Sequence, residues 1–269
     1  MTIAVPQLQS HRFRVCLRKV YMAKSSIEYV YGINSCFEVI RGGKRKIYQA
    51  YLNEKSANNP RIKKLAEFIE KKEIKLEWVS RERLNQLSGS TDNQGAVIRA
   101  SVYKYAELDE IIGKKRILLF DNVEDPHNVG AILRSAEIFG FDSILMPVRG
   151  VPEIYPSVIK VSAGASEHLN IVRESSSNIY VKNLQEKHGY TVIALDGAGK
   201  SSFEDVKAVN PEKILLVIGG EDKSVGQYIL NCADFVVSIR QFGKINSLNA
   251  SVAASIAMFA LGGDNDAAR

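Results

Sequence analysis

The chain has 269 residues, 45% of them hydrophobic and 25% charged, with a formal net charge of +6. That length fits two domains or one large α/β unit; the composition excludes a disordered or collagen-like chain, and no apolar run reaches the roughly 20 residues of a membrane span. Its three cysteines, Cys16, Cys36 and Cys232, form no C-x-x-C pair, so neither a disulfide framework nor a structural zinc site is expected, and a reducing, cytoplasmic setting is.

The charge is divided unevenly. Residues 1–105 carry 20 Lys and Arg against 9 Asp and Glu, whereas residues 106–269 carry 16 against 21. A basic half joined to an acidic half makes the first a candidate for binding a phosphate backbone. Residues 1–27 have no acid before Glu28 but carry Arg12, Arg14, Arg18, Lys19 and Lys24. They lack the apolar stretch of a secretory signal, so residues 1–26 read as a loose basic arm, with an organellar targeting segment as the alternative.

From residue 27 short strands and helices alternate. Residues 27–31 read as a strand, 35–40 as a helix closed by Gly42-Gly43, 46–52 as a strand and 60–72 as a helix with Ile62, Leu65, Ala66 and Ile69 on one face. Residues 75–79 read as a strand, 82–87 as a short helix, 88–93 as a polar loop and 95–100 as a strand. This predicts a compact α/β domain over 27–105. A charged connector, 106–115, leads to a second domain over 113–264. There the runs at 116–120, 143–146, 190–195, 214–218 and 235–239 are short and nearly continuously apolar, as in parallel strands buried on both faces. Helices are expected at 129–139 (with Gly140 as cap), 156–165, 177–188, 225–232 and 249–261.

Ligands of an open parallel sheet bind beyond the carboxyl ends of its strands, and three polar clusters follow strands here. The first runs from Asp121 through Asn122, Asp125, Pro126, Asn128 and Gly130 to Arg134. Asn128 is expected to cap the helix, leaving Arg134 in its second turn, either reaching a ligand or solvated. The second is Gly219-Gly220-Glu221-Asp222, where glycines allow close backbone approach to a ligand. The third holds Asn246, Ser247, Asn249 and Ser251 at a helix start, more polar side chains than capping needs. A fourth stretch, Ala194 through Gly199-Lys200-Ser201, imitates a phosphate-cradling loop with Ala in the first place. Only about eight residues follow before Asn210-Pro211, too few for the long helix such a loop requires.

Together the three clusters resemble the SpoU/TrmH branch of the SPOUT RNA methyltransferases. The family motif N-x-x-D-P-x-N-x-G-x-x-x-R is complete as Asn122, Asp125, Pro126, Asn128, Gly130 and Arg134. An apolar strand followed by G-x-E-G is matched by residues 216–222, with Asp222 in place of the last Gly. The I-P-M-x-G-x-x-x-S-L-N-x-S motif is matched from Ile239 through Gly243, Ser247, Leu248 and Asn249 to Ser251, with Arg240 in place of Pro. Residues 162–165 are also similar to a family segment. Residues 27–105 resemble the family's small, ribosomal-protein-like substrate-binding domain in Tyr31-Gly32-Ile33-Asn34 and Gln94-Gly95, although Asn93 replaces a frequent His.

The resemblance implies an α/β fold: a C-terminal parallel-sheet SPOUT domain tied in a deep trefoil knot, an exception to the rule against threading, plus the small N-terminal domain. It also implies S-adenosylmethionine as cofactor, with contacts from Gly219, Ile239 and Leu248, a homodimer with sites shared across its interface, RNA as substrate and no metal. The implied reaction is in-line attack of a ribose 2′-oxygen on the sulfonium methyl, most closely like the enzymes that methylate a guanosine of large-subunit rRNA. Arg134, always charged, would clamp the neighbouring phosphate and stabilise developing oxyanion charge rather than act as a base. Asn128, Ser247 and Asn249 would orient the ribose and Arg134, and Glu221 would pair with Arg134 or with the partner chain. A tRNA 2′-O-methyltransferase and a non-catalytic RNA-binding ribosome-assembly protein are the alternatives.

Overall fold

A computed structural model describes residues 26–221, 223–245 and 247–262. The basic arm up to residue 25, Asp222, Asn246 and the last two residues of the expected second domain lie outside the described residues. The first unit runs β1 (Ile27–Tyr31), α1 (Ile33–Gly42), β2 (Ile47–Asn53), α2 (Pro60–Lys71), β3 (Leu76–Val79), α3 (Arg81–Ser88) and β4 (Ala96–Ser101). Its sheet has the order β1-β4-β2-β3, antiparallel except for the β2–β3 pair. Local sequence explains α2: Asn59 accepts hydrogen bonds from the Arg61 and Ile62 amides, Pro60 needs none, and Ile62, Leu65, Ala66 and Ile69 bury one stripe.

The second unit contains β5 (Arg116–Asp121), α4 (Pro126–Ile138), β6 (Ser143–Leu145), α5 (Pro156–Val161), β7 (Asn170–Val172), α6 (Ser177–His188), β8 (Thr191–Leu195), α7 (Phe203–Val209), β9 (Ile214–Gly219), α8 (Gln227–Cys232), β10 (Phe235–Val237) and α9 (Ala250–Leu261). All six strands are parallel, in the order β10-β8-β9-β5-β6-β7. A parallel sheet is the architecture that the resemblance implied for this unit. β5 shows why its run is continuously apolar: Leu118 and Phe120 enter the core on one face, Ile117 and Leu119 the core on the other.

Several expectations change. The helix expected from residue 129 begins at Pro126, because Asp125 rather than Asn128 caps it: its Oδ1 accepts from the His127 amide at 2.9 Å. The helix expected over 156–165 stops at Val161, where Ala163 (φ 54°) and Gly164 (φ 88°) turn left-handed and a 3-10 turn, Ala165–Glu167, follows. β7 and α7 were not anticipated.

The connector does not swing free either. Ala106 bridges Val172 at the sheet edge, Ile111 is fully buried, and the Gly113 amide donates to the Tyr190 hydroxyl. One continuous apolar core joins the units, including Val30 and Cys36 from the first and Val158, Ile159 and Met258 from the second. A buried ion cluster reinforces the seam. Arg45 donates to both oxygens of Glu167, at 2.7 and 3.1 Å, and to Glu28, and its guanidinium lies 5.0 Å from the Tyr103 ring centre. Burial pushes both carboxyls above their ordinary range while Arg45 pulls them down.

Candidate active site

The carboxyl ends of β8, β9 and β10 open onto one cavity, as expected of a parallel sheet. Its lining includes Leu195, Gly219, Glu221, Ile239, Ser247 and Leu248. The three expected cofactor contacts, Gly219, Ile239 and Leu248, therefore share a wall with two expected catalytic residues although they are distant in sequence. Gly219 and Gly220 line the cavity and also meet a packing demand of the chain itself. A Cβ on Gly219 would stand 2.5 Å from the Val225 nitrogen, and one on Gly220 would overlap the Asn122 carbonyl oxygen. They let the backbone at residues 219–220 press against residues 224–225 and onto the turn after β5.

Asp121 fixes that loop, a role sequence reasoning missed. Its carboxylate, nearly buried at the end of β5, accepts from the Ser177 hydroxyl at 2.6 Å and from the Gly226 amide at 2.7 Å. The available signal was an Asp ending an otherwise apolar strand, since a buried carboxylate needs donors.

Beside the cavity the three polar clusters meet. Asn128, 6% exposed on the first turn of α4, donates through Nδ2 to Glu221 Oε1 at 3.0 Å. Asn249 Nδ2 donates both to that same Glu221 oxygen and to Asn128 Oδ1, the latter at 3.0 Å. Asn249 Oδ1 meanwhile accepts from the Ser251 amide at 2.9 Å and so caps α9. One asparagine thus starts a helix and ties it to α4 and to the loop after β9. Of the polar groups at this helix start, Asn249 and Ser251 are used within the chain, while Ser247 lines the cavity.

Arg134 stands elsewhere. It is exposed and, among the described residues, makes no ion pair; Glu221, expected to pair with it, is engaged by the two asparagines instead. Arg134 projects six residues beyond Asn128 along α4 into a second cleft, of about 400 Å³, with Glu38, Arg41, Glu137, Ser162 and His168. One cavity of this chain therefore does not gather all the expected site residues: the cofactor trio, Glu221 and Ser247 line the first, Asn128 and Asn249 buttress it, and Arg134 lines the other. Next to Arg134, α4 and α9 pack together through the Ser135–Ser255 hydroxyl pair (2.8 Å) and the Phe139 and Phe259 rings, yet leave Ile138, Val252, Ile256 and Phe259 exposed.

The stretch that imitates a phosphate loop belongs to the first cavity. Asp196 and Gly197 line it, whereas Lys200 does not, and Ser201 bridges Val237. Arg240, where the family motif has Pro, is exposed and lies off the cavity wall.

Comparison with known proteins gives a consistent result. Residues 115–259 match the model described as the SpoU rRNA Methylase family, and residues 29–106 match the model described as RNA 2′-O ribose methyltransferase substrate binding. The chain is 31% identical over 239 residues to YacO of Bacillus subtilis (strain 168), assigned to the TrmH family of tRNA/rRNA methyltransferases, covering 86% of this chain and 94% of that one. It is 35% identical over 235 residues to an uncharacterized tRNA/rRNA methyltransferase of Archaeoglobus fulgidus, covering 85% and 96%. Among solved structures it resembles the SpoU methyltransferase AviRb from Streptomyces viridochromogenes, crystallised with the cofactor AdoMet, at a TM-score of 0.72 and 20% identity over 87% of this chain and 89% of that one.

Proposed function

The chain belongs to the SpoU family of RNA 2′-O-ribose methyltransferases, and from that premise we propose that it transfers the methyl of S-adenosylmethionine to a guanosine ribose of large-subunit rRNA, acting as a homodimer in the cytoplasm. The observation that carries the reading is the convergence of the loops after β8, β9 and β10 on one cavity whose rim is held by the Asn128–Glu221–Asn249 cluster. The cavity fits the cofactor: Leu195, Ile218, Ile239 and Leu248 offer an apolar slot for a purine, and Glu221 and Ser247 offer polar groups at its edge. We infer also that the loops around it form the family's trefoil knot.

S-adenosylmethionine supplies an already activated methyl group when bound. The chain's own task is to place a ribose 2′-oxygen in line, roughly 3 Å away, and to stabilise charge as its proton leaves. Arg134 is assigned to the second part, holding the adjacent phosphate and the developing oxyanion. Its distance from the cavity of its own chain is what a shared site requires. Pairing two copies through the exposed Ile138, Val252, Ile256 and Phe259 would bury apolar surface that a lone chain leaves in water and bring Arg134 of one copy towards the cavity of the other. Ser247 and Asn249 would orient the ribose there.

The test is methyl transfer from labelled S-adenosylmethionine to unmodified rRNA and, separately, to tRNA, followed by mapping of the modified ribose. Label at one guanosine of large-subunit rRNA is expected. Label in tRNA alone gives the reading to a tRNA enzyme, and no cofactor binding by calorimetry gives it to a non-catalytic RNA-binding protein. Light scattering of the protein in solution should report a dimer.

A further inference from the structure

The cleft that holds Arg134 has a second wall, built by the N-terminal unit. We propose that it is a phosphodiester-binding site shared between the two units, with Arg134 on one side and Arg41 on the other gripping the RNA backbone beside the target ribose. This rests on the reading that the protein acts on RNA and that Arg134 faces it. It adds a substrate-positioning role for Arg41, a residue outside every motif discussed above.

Arg41 lies in the last turn of α1, and its side chain is 61% exposed. It pairs with Glu38 at 2.7 Å, one turn back, while the other Glu38 oxygen meets His168 Nε2 at 2.8 Å. An exposed pair of this kind holds little free energy, so a phosphate oxygen can replace Glu38 as the partner of Arg41 at small cost. The planar guanidinium fork suits that exchange, since it matches two phosphate oxygens at once. The acids of the cleft do not neutralise Arg134: Glu38 is engaged by Arg41 and His168, Glu137 has a partner of its own, and Arg134 has none among the described residues.

The position of Arg41 is imposed by packing. A Cβ on Gly164 would stand 2.5 Å from Glu38 Cβ, and one on Gly42 would stand 3.2 Å from the Glu167 backbone oxygen. Glycine at these two places lets the last turns of α1 press onto the loop after α5. Ser35 Oγ donates to the Ile159 carbonyl at 3.3 Å, Lys44 Nζ donates to the Leu169 carbonyl at 2.8 Å, and Arg45 is locked to Glu167. With α1 fastened along its length, Arg41 is presented to the same cleft as Arg134 without any domain movement.

The experiment measures binding of a fluorescein-labelled single-stranded RNA oligonucleotide to the full chain by anisotropy across a KCl series. A lost phosphate contact lowers the slope of log affinity against log salt by about one. R41A is expected to lower the slope by about one and weaken binding about tenfold, R41K to keep the slope, and the R41A/R134A double variant to lower it by about two. E38Q, which removes the competing carboxylate, is expected to tighten binding. In turnover, R41A should raise KM for RNA about tenfold with kcat within about twofold of the parent, the pattern of a contact made equally in ground and transition states. An R41A variant with the parent's salt slope and KM overturns the proposal. Failure of the parent to methylate any RNA would instead overturn the functional reading, and the salt slopes would still decide whether Arg41 holds phosphate.

Discussion

The rim of the proposed cofactor cavity and the Arg134 cleft are built on the same helix, yet their polar groups are in opposite states. At the first turn of α4, Asn128 is buried and its amide is satisfied by Glu221 and Asn249. Further along, Arg134 is exposed with its guanidinium unpaired among the described residues. The first region is finished within one chain, because buried polar groups without partners are costly. The second is left open, which suits a residue whose partner arrives with the substrate. The contrast separates residues that shape the site from those proposed to meet RNA, and substitutions should divide along that line.

The most disruptive substitution should lie in neither region but in the seam that fixes both. Arg45→Met leaves the buried Glu167 carboxylate and the half-buried Glu28 carboxylate without their cation, and a broken buried pair costs about 3–5 kcal/mol. Denaturant unfolding should show that loss at neutral pH. Both carboxyls already sit above their ordinary range. A raised acid favours the fold at low pH and loses that contribution as pH rises through its folded value. The penalty of Arg45→Met should therefore shrink on acidification; a penalty independent of pH would show that charge burial is not its cause.

The comparison itself is tested most sharply by Arg134→Ala. Loss of about 3 kcal/mol of barrier, some hundredfold or more in single-turnover methyl transfer at saturating RNA, is expected, with melting temperature and S-adenosylmethionine affinity unchanged. Glu221→Ala should do the reverse. It leaves the buried Asn128 amide without its carboxylate at a cost of about 1 kcal/mol, read as weaker cofactor binding by calorimetry and a lower midpoint of unfolding, while RNA affinity persists. If both variants lose RNA affinity and cofactor affinity alike, the two regions are one site and the division is wrong. At the small end, Lys200→Ala should change stability by no more than about 0.5 kcal/mol and leave transfer rates intact, because the loop before α7 serves the cavity through Asp196 and Gly197.

Much of this was legible in the sequence where local chemistry decides structure. β5 and β9 announce themselves because strands buried on both faces need unbroken apolar runs, and α2 because its stripe has helical period and Asn59-Pro60 marks its start. β7 was not legible: three residues, beginning with Asn170 at the edge of the sheet, carry no period. Asn128 was misread as a cap because the spacing suits either role, and the deciding fact is that Asp125 precedes a proline and takes the cap first. Gly219, Ile239 and Leu248 line one cavity, but no spacing could show that Glu221 binds asparagines 93 and 28 residues away. Nor could it show that Arg45 and Glu167, charges that read as surface groups, are buried against each other across 122 residues. Such pairings are set by the packing of the two units, which local pattern does not record.

The fused core of the two units has a consequence for how a target is chosen. A reader of RNA on a loose tether could reach sugars at many separations from the feature it recognises. With α1 fastened to the loop after α5, the proposed function would make the separation between reader and methyl donor a fixed length, as in a caliper. Adding or deleting a nucleotide between the recognised feature and the modified sugar should then transfer the mark to a neighbouring ribose rather than abolish it.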